Sequence, residues 1–186
     1  MTKSALRAII PAAGLLALQL TAGAVCAQQK PESPKASTSQ KVGLTNITIT
    51  YSSPGVKGRK IWGELVPYGK VWRTGANENT TIKFSTAVKI GGKELAAGTY
   101  GIHTIPTAGD WTVIFSKDAD QWGSFSYKQE NDALRVQAKP APADFRERMA
   151  FEIEDVTNTS AKIVIHWEKV KVPFTVEVGA PKAAAN

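Results

Sequence analysis

Cysteine is almost absent from this 186-residue chain, and the single one, Cys26, falls in an amino-terminal stretch laid out like an export leader. Residues 1–27 carry Lys3 and Arg7, then an apolar run from Ala8 to Leu20, then small residues ending in Val25, Cys26 and Ala27. That order is a secretory signal peptide. Cleavage after Ala27 leaves a chain without thiols, which excludes disulfides, thiol catalysis and cysteine-ligated zinc. Lipidation at Cys26 needs a leucine near position minus three and a small residue at minus one, where Gly23 and Val25 stand instead. Histidine is nearly as scarce. His103 and His166 lie far apart and no H-E-x-x-H occurs, so neither a metal nor a cofactor is expected. No later segment approaches the roughly 20 apolar residues of a membrane-spanning helix. The expectation is a chain exported to the periplasm or the medium, with no transmembrane segment.

A long basic stripe is also missing. Net charge is +7, reduced by two when Lys3 and Arg7 leave with the leader, and the remaining cations occur in small groups separated by acids. That spacing does not track phosphates, so no nucleic-acid partner is expected. Residues 28–40 are rich in Pro, Ser, Gln and Lys and read as a flexible linker, and residues 179–186 read as a disordered tail. Residues 41–178 have the size of one domain.

What is present is period-two patterning. Ile47, Ile49 and Tyr51 alternate with Thr48 and Thr50, and Ile82, Phe84, Val88 and Ile90 share one parity. Met149, Phe151 and Ile153 repeat the pattern, as do Ala161, Ile163, Ile165 and Trp167, then Val172, Phe174, Val176 and Val178. These are half-buried strands. Gly91-Gly92 between two such runs predicts a tight hairpin. Pro173 cannot donate to a ladder, which places it at a strand start or on an edge. The fold class is all-β: an antiparallel β-sandwich, jelly-roll-like, with only short helical turns near residues 61–65 and 131–134.

One excursion breaks the pattern. Residues 59–81, R-K-I-W-G-E-L-V-P-Y-G-K-V-W-R-T-G-A-N-E-N-T-T, form a long Gly/Trp-rich loop, and loops of that length in compact domains are usually functional or disordered. Its aromatic content argues against disorder. Trp62, Tyr68 and Trp72 offer ring faces, Arg73 a planar fork, Asn77 a donor and an acceptor, and Glu78 a carboxylate, the makeup of a small polar ligand's pocket. Trp122, Ser124 and Tyr127 in Q-W-G-S-F-S-Y are expected to contribute from a second aromatic loop. Glu78 and His103 are the catalytic candidates. The opposing reading is that Arg73 and Glu78 neutralise each other while the loop plugs the sandwich. His166 shares parity with Lys162 and Glu168 and reads as a surface histidine. A phosphate loop at Gly69-Lys70 fails on spacing and on Val71, and the nucleophile elbow G-x-S-x-G does not occur.

Together with A-G-T-Y-G-I-H-T-I-P, W-T-V-I-F-S-K, Q-W-G-S-F-S-Y and W-E-K-V-K-V-P-F, the loop motif resembles a secreted bacterial family, domain of unknown function twenty-nine eleven, from about Ser33 to Val178. The resemblance implies one β-rich secreted domain with no established activity. Some relatives bear the label asparagine synthetase B, which this chain contradicts, having neither an amino-terminal catalytic cysteine nor an ATP loop. Lys128 and His103 stand where relatives often have an acid and an aromatic. Three functions stay open: binding of a sugar, peptide end or anion; metal-free hydrolysis with Glu78 as acid or base; and a structural envelope role without ligand.

Overall fold

A computed structural model of the chain describes residues 32–179, so the expected leader and all but the first residue of the expected tail lie outside the described residues. Among the described residues ten strands form two antiparallel sheets. One has six strands in the order β1 (Lys35–Val42), β2 (Thr45–Ser52), β3 (Thr80–Phe84), β6 (Gly98–Ile105), β7 (Trp111–Ser116) and β8 (Asp132–Ala138). The other has four, in the order β5 (Lys93–Leu95), β4 (Val88–Ile90), β10 (Ser160–Val178) and β9 (Ala141–Glu154). The alternating apolar residues of both sheets meet in one core, where Ile47, Ile49, Ile82, Phe84, Phe115, Phe151, Ile163, Ile165 and Trp167 are buried. The fold is an all-β sandwich, and its one helical piece among the described residues is a 3-10 turn at Gln129–Asn131. Among those residues no helix is long and apolar enough to cross a membrane.

The outer strand β1 occupies ground expected to be linker. Residues 35–40 pair in register with β2, and the Ser37 and Ser39 hydroxyls donate to the carbonyls of Ile49 and Ile47 at 3.1 Å each. Ser/Thr-rich composition signals a solvated tether, but hydroxyls that bond across an edge strand serve a ladder equally well. The apolar parity from Ile82 to Ile90 is real yet spans two elements, since the chain leaves one sheet after Phe84 and joins the other at Val88. Gly91 and Gly92, at φ 59° and 74°, turn β4 into β5 in the left-handed geometry of a type I′ hairpin. Pro173 lies inside β10 rather than at its start. The ladder with β9 ends at Lys171 and the one with β4 begins at Val176, so the proline interrupts no registered pair. Residues 61–65 form hydrogen-bonded turns, with Val66 N donating to Ile61 O at 2.9 Å, and not a helix.

His166 is buried, contrary to its surface reading. Its Nε2 meets Asp144 O at 3.0 Å and its Nδ1 meets Glu152 Oε1 at 3.4 Å. The pairing of β10 with β9 is unbroken from Lys162 to His166, and Val164, of the same parity as His166, is buried along with Ile163, Ile165 and Trp167, so this stretch of β10 is covered on both faces and parity does not mark a surface there.

Candidate functional site

The connection between β2 and β3, residues 53–79, is fastened by backbone bonds along its length, and three of these fastenings position the expected site residues. Residues 54–56 extend β9, with Val56 N on Glu147 O at 2.8 Å and Met149 N on Pro54 O at 3.0 Å. Trp72 and Thr104 exchange two backbone bonds of 2.8 Å. Asn79 N donates to Gln121 O at 3.0 Å beside a Glu78–Trp122 bridge. These bonds satisfy main-chain groups that a loop must otherwise expose, and they divide the residues expected in one pocket among three neighbourhoods.

The first is a tryptophan cluster at one end of the core. Trp62 meets Trp72, Trp111 and Trp167 edge-on at 5.9, 4.9 and 5.7 Å, and Trp72 stacks on Trp167 at 5.8 Å. Both loop tryptophans are half-buried, so this part of the loop does cap the sandwich. A cleft of about 210 Å³ remains beside Trp72, Arg73 and Trp167. Arg73 and Glu78 do not pair. Burial lowers the pKa of the Arg73 guanidinium, which faces no carboxylate within ion-pair distance among the described residues. Tyr68 is half-exposed against Gly63, outside this cleft, and Asn77 Nδ2 donates to Ser33 O at 3.3 Å.

The second is an open groove of about 370 Å³ on the outer face of β2 and β3. Lys35, Thr50 and Thr81 form its floor, while Glu78, Asn79, Asp120, Gln121 and Trp122 line the wall. Trp122 is 63 % exposed, whereas Asn79 is only 7 % exposed and its Oδ1 is buried with no partner among the described residues. Glu78 bonds its own backbone amide, pairs with Lys35 Nζ at 3.0 Å and accepts from Ser52 Oγ at 3.4 Å, interactions that hold its carboxyl below the usual carboxylate range. A carboxyl ionised so readily is a poor general acid.

The third is the buried His103 under residues 117–128. Desolvation lowers its pKa to about 4, against a smaller opposing pull from Asp132 and Asp118. Nδ1 lies 3.4 Å from Ser124 Oγ, the contact of a serine-histidine pair, and Nε2 lies 3.5 Å from Asn79 Nδ2. The same Asn79 Nδ2 donates to Asp118 O at 3.3 Å, which fixes the amide orientation. Nε2 therefore accepts, Nδ1 carries the proton, and His103 donates to Ser124 instead of taking its proton. This assigns His103 a structural role. Tyr127 packs on the ring at 5.1 Å, its hydroxyl bonded to Asp132 at 2.7 Å and to Arg135 at 2.5 Å. Burial first, then the Asp132 bond, push its pKa up to about 12.

Sequence reasoning missed Asn79, Lys35 and Trp167. Asn79 stands next to the candidate Glu78, and the alternation along β10 marks Trp167 as strand core alone. Neither the curated proteins nor the solved structures contain a match to the chain. Residues 33–176 match the family described as protein of unknown function DUF2911, and the chain belongs to that family.

Proposed function

We propose that the chain is an exported binding domain, and that the Trp122 groove holds a small polyhydroxylated ligand, a sugar unit. The observation that carries this reading is the juxtaposition, along one groove, of an exposed indole and the lining residue Asn79, whose amide oxygen is buried and unpartnered among the described residues. An indole face shelters the C–H surface of a sugar ring, as aromatic side chains do wherever one side of a contact is apolar and the other wet. Asn79 Oδ1 accepts a hydroxyl proton, Glu78 and Asp120 accept others, and Lys35, Thr50 and Thr81 donate. An aromatic surface with a few converging polar groups is the usual composition of a small-molecule site, and the groove's volume falls in the usual range. Two carboxylates against one lysine argue against an anion here. Export rests on the order of charges, apolar run and small residues in residues 1–27.

Calorimetric titration of the leaderless chain with glucose, N-acetylglucosamine and their β-linked disaccharides tests the reading. The expected result is binding that weakens at least about tenfold, or 1.4 kcal/mol, in Trp122→Ala while the unfolding midpoint stays unchanged. Equal binding by both proteins, or by neither, contradicts it.

A further inference from the structure

Six buried side-chain polar atoms have no hydrogen-bond partner among the described residues, and they separate by kind. Of the three acceptors, those on Asn79 and Asp132 belong to residues around His103 and Glu152 Oε2 still lies 3.2 Å from Lys171 Nζ, whereas the three donors, Trp62 Nε1, Trp167 Nε1 and Arg73 Nε, gather at the tryptophan cluster. Burying a donor without an acceptor is costly, and each such group in a folded protein calls for an explanation. Trp167 is 1 % exposed, and both it and Arg73 line the cleft of about 210 Å³.

Charge points the same way. Lys57, Arg59 and Arg73 line the cleft against one carboxylate, Glu32, which Lys57 Nζ already engages at 2.8 Å. Arg59 is also occupied, its Nε on Val56 O and its Nη2 on Gly55 O. Among the described residues Arg73 is thus the lining cation left for a ligand, and its Nη1 reaches to 3.4 Å from where a Cβ on Gly123 would stand, so the guanidinium lies between the two loops. The rest of the wall is apolar, from Leu65, Val66 and the stacked rings of Trp72 and Trp167.

We infer that this cleft is a second binding site, distinct from the Trp122 groove, and that it takes a carboxylate carried on an apolar body. A guanidinium fork matches a planar carboxylate. The indole N–H of Trp167 supplies a further donor, and the apolar wall takes the ligand's hydrocarbon. A free branched acid and a peptide carboxyl terminus share this chemistry.

The test is a nitrogen-15 NMR titration of the leaderless chain that follows the Trp167 indole and Arg73 Nε resonances. The probes are isovalerate, isopentanol, inorganic phosphate at matched ionic strength, and a valine-terminated tripeptide as free acid and as amide. Isovalerate or the free-acid tripeptide shifts both resonances, the tighter of the two identifying the source, while the alcohol and the amide do not. Arg73→Gln weakens the effect at least about tenfold, Arg73→Lys weakens it less, and Trp122→Ala leaves it unchanged, which separates this site from the groove. The inference is overturned if the alcohol or the amide binds as well as the acids, if phosphate binds more tightly than either acid, if no probe moves the two resonances, or if Arg73→Gln responds like the parent.

Discussion

Trp72 in the long loop stacks on Trp167 in β10, with ring centroids 5.8 Å apart and planes inclined by 21°. This contact ties the loop to the sandwich, reinforced by the Trp72 indole donating to Gly75 O at 3.1 Å and the two backbone bonds to Thr104. Trp72→Ala removes the ring and the bond together and is expected to lower stability by about 2–4 kcal/mol, with Trp72→Phe losing less than half of that. Urea unfolding of the two variants measures the difference.

His103 makes stability depend on pH. Its folded pKa of about 4 lies below the ordinary 6.5, so between these values the unfolded chain binds a proton that the folded one refuses. Stability therefore falls as pH drops from 6.5 towards 4, by up to about 3 kcal/mol from this group, and the contribution is fully present above 6.5. Denaturant midpoints across that range are expected to fall steadily in the parent and to stay flatter in His103→Gln.

Gly101 holds the second loop close to β6. A Cβ there stands 2.8 Å from Asp118 O and 3.0 Å from Asn79 Nδ2, closer than packed atoms approach. Gly101→Ala is expected to lift residues 117–120 and to cost about 1–3 kcal/mol. Hydrogen exchange of the Asn79 amide, which donates to Gln121 O, should quicken while the β7 amides stay protected.

Glu78 separates stability from binding. Its pairing with Lys35 is solvent-exposed on both sides, and such pairs add little to folding. Glu78→Gln is expected to leave the unfolding midpoint where it is and to weaken sugar binding in the groove, as thermal unfolding and calorimetry will show.

Much of the sandwich was legible because burial along a strand alternates locally, and Ile47, Ile49, Ile163 and Ile165 declare their faces without help from distant residues. The site was legible in its residues but not in their grouping. Trp72, Arg73 and Glu78 are neighbours in sequence, yet Thr74 and Asn77 adopt φ of 50° and 56°, conformations that non-glycine side chains seldom take. The buried Thr74 is held there by its hydroxyl on Thr104 Oγ1 at 3.1 Å and by Thr80 Oγ1 donating to its carbonyl at 2.8 Å. The two bends send Trp72 to the core and Glu78 to the outer groove, and no local signal announces them. Lys35, Thr50 and Thr81 went unnoticed for another reason. On a strand's outer face they look like ordinary solvent-facing positions until Trp122 closes a wall beside them.

The central claim is that an acceptor and a set of donors, unpartnered among the described residues, mark two seats with opposite preferences. It is tested most directly on the indole N–H resonances of the five tryptophans, titrated with a neutral disaccharide and with isovalerate on one sample. The account predicts that the sugar moves Trp122 and spares Trp167, and that the acid moves Trp167 and spares Trp122. A sugar and an acid that move the same indole, or that move neither, would contradict it.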